Sequence, residues 1–129
     1  MDFNQKLDSF YKNIEKLDSI HDEYEAALDS DHYMVKLSKT LADSCNQFIK
    51  FIEIMPNKDL YLDSLVDFSL KSIDIYTSLP LDTLVEKSVF KRKKKMKICY
   101  QDNKDKINKV LDQMDIISKM IDEAVAKIK

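Results

Sequence analysis

Residues 3–28 read FNQKLDSFYKNIEKLDSIHDEYEAAL, and the spacing of the apolar side chains in this stretch decides the fold. Phe3, Leu7, Phe10, Ile14, Leu17, His21, Tyr24 and Leu28 step by alternating fours and threes, the signature of a helix with one buried stripe. Only His21 interrupts the apolar character. A helix is expected over about 2–28, closed by Asp29, Ser30 and Asp31, whose short polar side chains favour the ends of helices.

Working outward, Met34, Leu37, Leu41, Cys45, Phe48, Ile52 and Met55 repeat the same stepping and predict a second helix over 31–55, ended by Pro56. A third is expected over 59–79, with Asp59 as its cap and Pro80 as its stop. Its inward positions, Leu62, Leu65, Val66, Phe68, Ser69, Ile73, Ile75, Tyr76 and Leu79, spread around much of the circumference, which makes it the best candidate for a central helix. Asp82 or Thr83 is the expected cap of a fourth helix over 83–100, carrying Leu84, Val85, Val89 and Phe90. A fifth, over 103–128, carries Ile107, Val110, Met114, Ile117, Ile121, Ala124 and Ile128 at heptad spacing.

That last register runs backwards through Asn103, Tyr100, Met96, Lys93 and Val89. One helix from 82 to 129 would be roughly 70 Å long, against ~40 Å for its partners, so a break is expected near 101–104. The fold class read from these patterns is all-α: an up-and-down antiparallel bundle of four to five long helices with coiled-coil-like heptad seams, in a single domain spanning 1–129. The strict seams of the first and last helices, Phe3, Leu7, Phe10, Ile14 and Leu17 with Ile107, Val110, Met114, Ile117, Ile121 and Ile128, are the candidate surface for a protein partner or a second copy of the chain.

Composition supports the class and excludes several chemistries. There is no glycine, and the two prolines are Pro56 and Pro80. Without glycine the phosphate-cradling G-x-G-x-x-G and Walker loops, the nucleophile elbow and the standard calcium loop cannot be built. No apolar run reaches the roughly 18 residues of a membrane span, and MDFNQKLDSF is acidic and polar where a signal peptide is basic and then apolar. A cytoplasmic protein is therefore expected. Cys45 and Cys99 are too few for a disulfide framework and lack C-x-x-C spacing, so both are read as reduced packing residues.

The candidate catalytic features are weak. Asp18/His21 and Asp29/His32 share D-x-x-H spacing, extended by Asp22 and Glu25, but dimetal bundles use E-x-x-H on facing helices with inward glutamates from two others. Neither cysteine has a histidine near it in sequence, and pairs such as Asp63/Asp67 and Asp112/Asp115 read as solvated faces in a chain with 23 acids. No cofactor, metal or small-molecule substrate is expected, and no enzymatic activity.

The one stretch whose chemistry is unusual is FKRKKKMKICY, residues 90–100. Lys91, Arg92, Lys93, Lys94, Lys95 and Lys97 put six cations within 91–97, in a chain of formal net charge −2. Setting those six aside leaves 15 Lys and Arg against 23 Asp and Glu, so the remainder carries −8 and the run is a local inversion of sign. Five consecutive cations wrap fully around a helix, and their mutual repulsion calls for anions nearby. Four sources are open: the acidic remainder of this chain or of a second copy, a nuclear-import receptor, a nucleic-acid backbone with Phe90 and Tyr100 stacking on bases, and an anionic membrane with Phe90, Met96 and Ile98 as insertion points. The expected function is that of a non-enzymatic interaction or assembly subunit, an adaptor or scaffold; the alternative is a module that binds nucleic acid or an anionic surface through residues 91–97.

Overall fold

In the computed structural model, which describes residues 2–79 and 86–129, the opening heptad stretch forms α1, Phe3–Ala27. Its start is fixed by a reciprocal cap. The Asp2 carboxylate accepts from the Gln5 backbone N–H at 2.8 Å, and the Gln5 side chain accepts from the Asp2 N–H at 3.0 Å. The remaining elements are α2 (Tyr33–Phe48), a 3-10 segment (Ile49–Ile54), α3 (Lys58–Thr77), α4 (Val89–Asp102) and α5 (Lys104–Ile128), with no strand among the described residues.

Cross-helix contacts give the direction of each neighbour. His21 of α1 meets Val35 and Ser38 near the start of α2, so these two run antiparallel. Lys6 pairs with Asp63 at 2.9 Å and Asn13 donates to Ser69 at 2.9 Å, so α1 and α3 run parallel. Lys106 reaches Asp74 at 3.3 Å and Gln113 reaches Asp67 at 3.0 Å, so α3 and α5 are antiparallel. The result is an all-α bundle in which α1, α2, α3 and α5 alternate up and down, and α3 touches the other three, as a central helix should.

The buried stripes are wider than strict seams. In α1 the interior side chains are Phe10, Ile14, Leu17, Ile20 and Tyr24, so Ile20 takes the slot the heptad reading gave to His21. A straight helix of about 3.6 residues per turn drifts off a 3.5-residue repeat, and the burial follows the straight helix. In α2 Val35, Ser38 and Ala42 join the expected residues in the interior. Three buried tyrosines and three buried serines knit the core. Tyr76 donates to the Met34 carbonyl at 2.7 Å, Tyr61 to the Phe48 carbonyl at 2.7 Å, and Tyr24 sits edge-on to Tyr76 with ring centroids 4.9 Å apart. Ser38, Ser69 and Ser72 return their hydroxyls to carbonyls three or four residues back, which lets small side chains line close helix contacts with no unpaired oxygen.

Four boundaries differ from the sequence expectation. The cap of α2 is His32, whose Nδ1 accepts from the Met34 N–H at 3.1 Å, rather than a residue of the Asp29–Asp31 group. The second helix tightens into 3-10 winding from Ile49, beside the carbonyl that the Tyr61 phenol engages, instead of continuing to Met55. Asn57, not Asp59, caps α3, accepting from Leu60 at 3.1 Å, while Asp59 sits in the first turn where its charge favours the helix dipole. Glu86–Ser88 are not helical, and Ser88 caps α4 through the Lys91 N–H. The expected caps Asp82 and Thr83, the stop at Pro80, and the apolar Leu84 and Val85 lie outside the described residues. The break between α4 and α5 falls at Asn103, inside the expected window; its side-chain amide donates to the Cys99 carbonyl at 2.8 Å.

Candidate functional site

The cationic run lies on α4, which touches the rest of the bundle at the corner between α1 and α2. Its inner side is anchored by Met96 and Cys99, the only two residues of α4 that are fully interior. Tyr100 leans on Tyr33 with ring centroids 4.5 Å apart. The six cations divide into two sets of three around this anchor.

Arg92, Lys93 and Lys95 are half-buried and engaged by the protein itself. The Arg92 guanidinium donates from Nε to the Ala27 carbonyl at 2.8 Å and from Nη1 to the Glu86 carbonyl at 2.6 Å. Ala27 ends α1, a helix with no basic residue in its own last turn, so Arg92 supplies from elsewhere in the chain the cation that the negative end of the dipole lacks. Lys93 pairs with Asp29 in the α1–α2 corner, and Lys95 pairs with Glu86 at 3.1 Å. The Lys93 ammonium, bonded to Asp29, holds that carboxyl below the usual carboxylate range, and Lys95 does the same for Glu86 with help from the Ser88 N–H. Part of the inverted charge is thus answered by acids of the same chain.

Lys91, Lys94 and Lys97 point away from the bundle, and none has an ion pair among the described residues. With about 100° per residue, the direction opposite Met96 is occupied by Phe90, Lys91, Lys94, Lys97, Ile98 and Gln101, within an arc of about 120°. Phe90, at 76%, is the most exposed large apolar side chain among the described residues, and Ile98, at 49%, is open to about the same degree as Leu70 or Ile116 on other helices. No acid occurs between residues 90 and 101. The outer face of α4 therefore presents three ammonium groups with no ion pair among the described residues, Lys91 lying within the field of Glu86, beside two exposed apolar side chains.

The structure separates side chains that the sequence had grouped together. Of the expected insertion points, Phe90 and Ile98 are exposed but Met96 is fully buried. Of the two aromatics expected to stack on bases, Phe90 is open and Tyr100 is committed to Tyr33. The signal was present in the spacing: Arg92, Met96 and Cys99 form one stripe and Phe90, Lys94, Lys97 and Gln101 the opposite one.

The other nominated residues lie elsewhere. Phe10, Ile14, Leu17, Ile107, Val110, Ile117 and Ile121 are buried in the bundle, Phe3, Leu7 and Met114 pack half-buried against it, and Ile128 alone among the seam residues is mostly exposed. His21 contacts Ser38 at 3.0 Å and Glu25 at 3.4 Å, and His32 serves as a helix cap. Among the described residues no group of three or more His, Cys, Asp or Glu side chains is arranged to hold a metal ion. Burial pushes the Cys45 thiol up to about 12, so it stays protonated and unreactive. A groove of about 190 Å³ between α3 and α5 is lined by Lys71, Asp74, Lys106, Lys109 and Val110, but Lys71 and Lys106 are already paired with Asp67 and Asp74. No described helix is long and apolar enough to cross a membrane.

The chain matches no protein-family model, no curated protein and no solved structure.

Proposed function

We propose that this chain is a non-enzymatic interaction module that engages an anionic surface through the outer face of α4. The observation that supports this reading is the division of the basic run: Arg92, Lys93 and Lys95 serve the fold, while Lys91, Lys94 and Lys97 are left facing water with Phe90 and Ile98 between and beside them. Like charges at three-residue spacing repel one another, and no ion pair among the described residues relieves them.

An adaptor or self-associating subunit working through the heptad seams has less to support it, because most seam side chains are occupied in the interior. A protein partner with an acidic surface remains compatible with the α4 reading. A cytoplasmic location, or a nuclear one reached through the same lysine run, belongs to this proposal.

The test is retention on immobilised heparin, a sulfated polyanion, across a salt gradient. A Lys91→Ser/Lys94→Ser/Lys97→Ser variant should elute at markedly lower salt than wild type, since each lysine removed deletes one counterion-releasing contact. A Lys12→Ser/Lys16→Ser/Lys36→Ser variant, with the same change in net charge, should not. Equal elution of the two variants would show that net charge, not the α4 face, governs binding, and would end the proposal.

A further inference from the structure

We infer that the anionic surface is a phospholipid membrane, which α4 meets edge-on in the interfacial plane with Phe90 and Ile98 dipping below the headgroups and Lys91, Lys94 and Lys97 among the phosphates. This rests on the preceding reading of the α4 face and adds the identity of the partner.

Three observations favour lipid over a nucleic-acid backbone. Ile98 offers no stacking surface and no hydrogen bond, so a duplex or single strand leaves it uncovered, whereas an acyl boundary covers it. The aromatic that could have completed a base-stacking platform, Tyr100, is packed on Tyr33. The one arginine of the run, the side chain best shaped to grip a phosphate with two parallel bonds, is turned inward to the Ala27 and Glu86 carbonyls. What remains outside are lysines, point charges on flexible stems that can adjust to mobile headgroups.

The dimensions suit such a contact. From Phe90 to Ile98 is about 12 Å along the helix, with the three lysines about 4.5 Å apart along the axis between them. Asp29 and Glu86 are held by Lys93 and Lys95 on the sides of α4, and the acid that α4 itself carries, Asp102, sits at its far end, one turn beyond Ile98. Each lysine near an anionic leaflet is worth roughly fivefold in affinity, so three supply on the order of 100-fold. Partial burial of Phe90 and Ile98 adds about tenfold each. A contact of this size is reversible and depends on both terms, as two-signal membrane anchoring does.

Co-flotation with vesicles tests the inference, using phosphatidylcholine alone and phosphatidylcholine mixed with phosphatidylserine, with random single- and double-stranded DNA measured in parallel. Wild type should float with the serine-containing vesicles and not with phosphatidylcholine alone. Both the triple lysine variant and Phe90→Ser/Ile98→Ser should lose about 100-fold in partitioning. Both sets of residues are exposed, and an unchanged circular dichroism melt establishes that each variant folds. The two variants should differ on heparin, where Phe90→Ser/Ile98→Ser keeps its retention. Vesicle binding that ignores Phe90→Ser/Ile98→Ser would overturn the insertion. DNA binding tighter than vesicle binding would replace the membrane with nucleic acid. Heparin retention without vesicle binding would remove the lipid while leaving the α4 face as a polyanion contact, and loss of both would remove the face itself.

Discussion

Replacing Arg92 by alanine should destabilise the protein as strongly as a core truncation, although Arg92 sits in the middle of a lysine run. Its guanidinium makes two short bonds to backbone carbonyls, 2.8 Å to Ala27 and 2.6 Å to Glu86, and those carbonyls belong to the end of α1 and to the segment entering α4. Hydrogen bonds from a charged donor contribute about 1.5–3 kcal/mol each, and the site is half-buried, so the lower end applies and the two together come to about 3 kcal/mol. For 129 residues, an unfolding entropy of about 2.1 cal/mol/K per residue turns 1 kcal/mol into about 4 °C, and the expected fall in Tm is about 11 °C. If α4 opens before the bundle does, part of that loss shows instead as faster amide exchange across 89–102. Arg92→Lys should fall between, because a single ammonium cannot span two diverging carbonyls as the planar fork does. Lys94→Ala and Lys97→Ala should stay within about 0.5 kcal/mol of wild type. Thermal denaturation of all four variants, with exchange measured on α4, decides the matter: an Arg92→Ala protein that melts within about 2 °C of wild type and exchanges normally would show that the inward half of the run does not serve the fold.

Tyr76→Phe removes the buried phenol that donates to the Met34 carbonyl at 2.7 Å but keeps the ring against Tyr24, so it should cost about 1–2 kcal/mol in chemical denaturation, while Tyr11→Phe, half-exposed, should cost nothing measurable. Acidification should loosen the α1–α2 corner and α4 in two stages before the core. Burial holds the His32 imidazole below its ordinary value, so the neutral form that caps α2 contributes stability above about pH 6.5 and loses it as the pH falls through the lowered folded value. Asp29 and Glu86, both lowered by their lysines, contribute above about pH 4 and lose that contribution as the pH falls through their folded values. Exchange corrected for intrinsic rates should therefore rise first at 29–36, then across 86–102; uniform protection down to the global acid transition would refute the order.

The helical class was legible, and the number of helices to within four or five, because they rest on a periodicity that burial alone imposes. What the periodicity could not carry was the difference between a seam and a stripe. Phe10, Ile14 and Leu17 satisfy a heptad repeat, yet a short straight helix satisfies it too for three turns before the slip shows, and here it shows at Ile20 and His21. The caps of α2 and α3 were misplaced by one to three residues for a related reason, and that of α4 by more. Asp29–Asp31, His32, Asn57 and Asp59 can all accept from a free N–H, and the composition alone does not distinguish them; in the structure His32 and Asn57 are the ones that accept.

The basic run shows the same distinction in charge. Counting residues gives an excess of six cations, and a count predicts repulsion that some partner must relieve. Direction changes the conclusion, because a helix exposes each consecutive lysine to a different neighbour. Arg92 and Lys93 fall on the side where α1 ends in a bare carbonyl and where Asp29 stands, so the cations nearest the fold have counter-charges built in. Lys91, Lys94 and Lys97 fall on the other side, together with the exposed Phe90 and Ile98. Charge that the fold has already neutralised says little about partners. The part left outward, with its apolar companions, is the part from which a partner can be inferred.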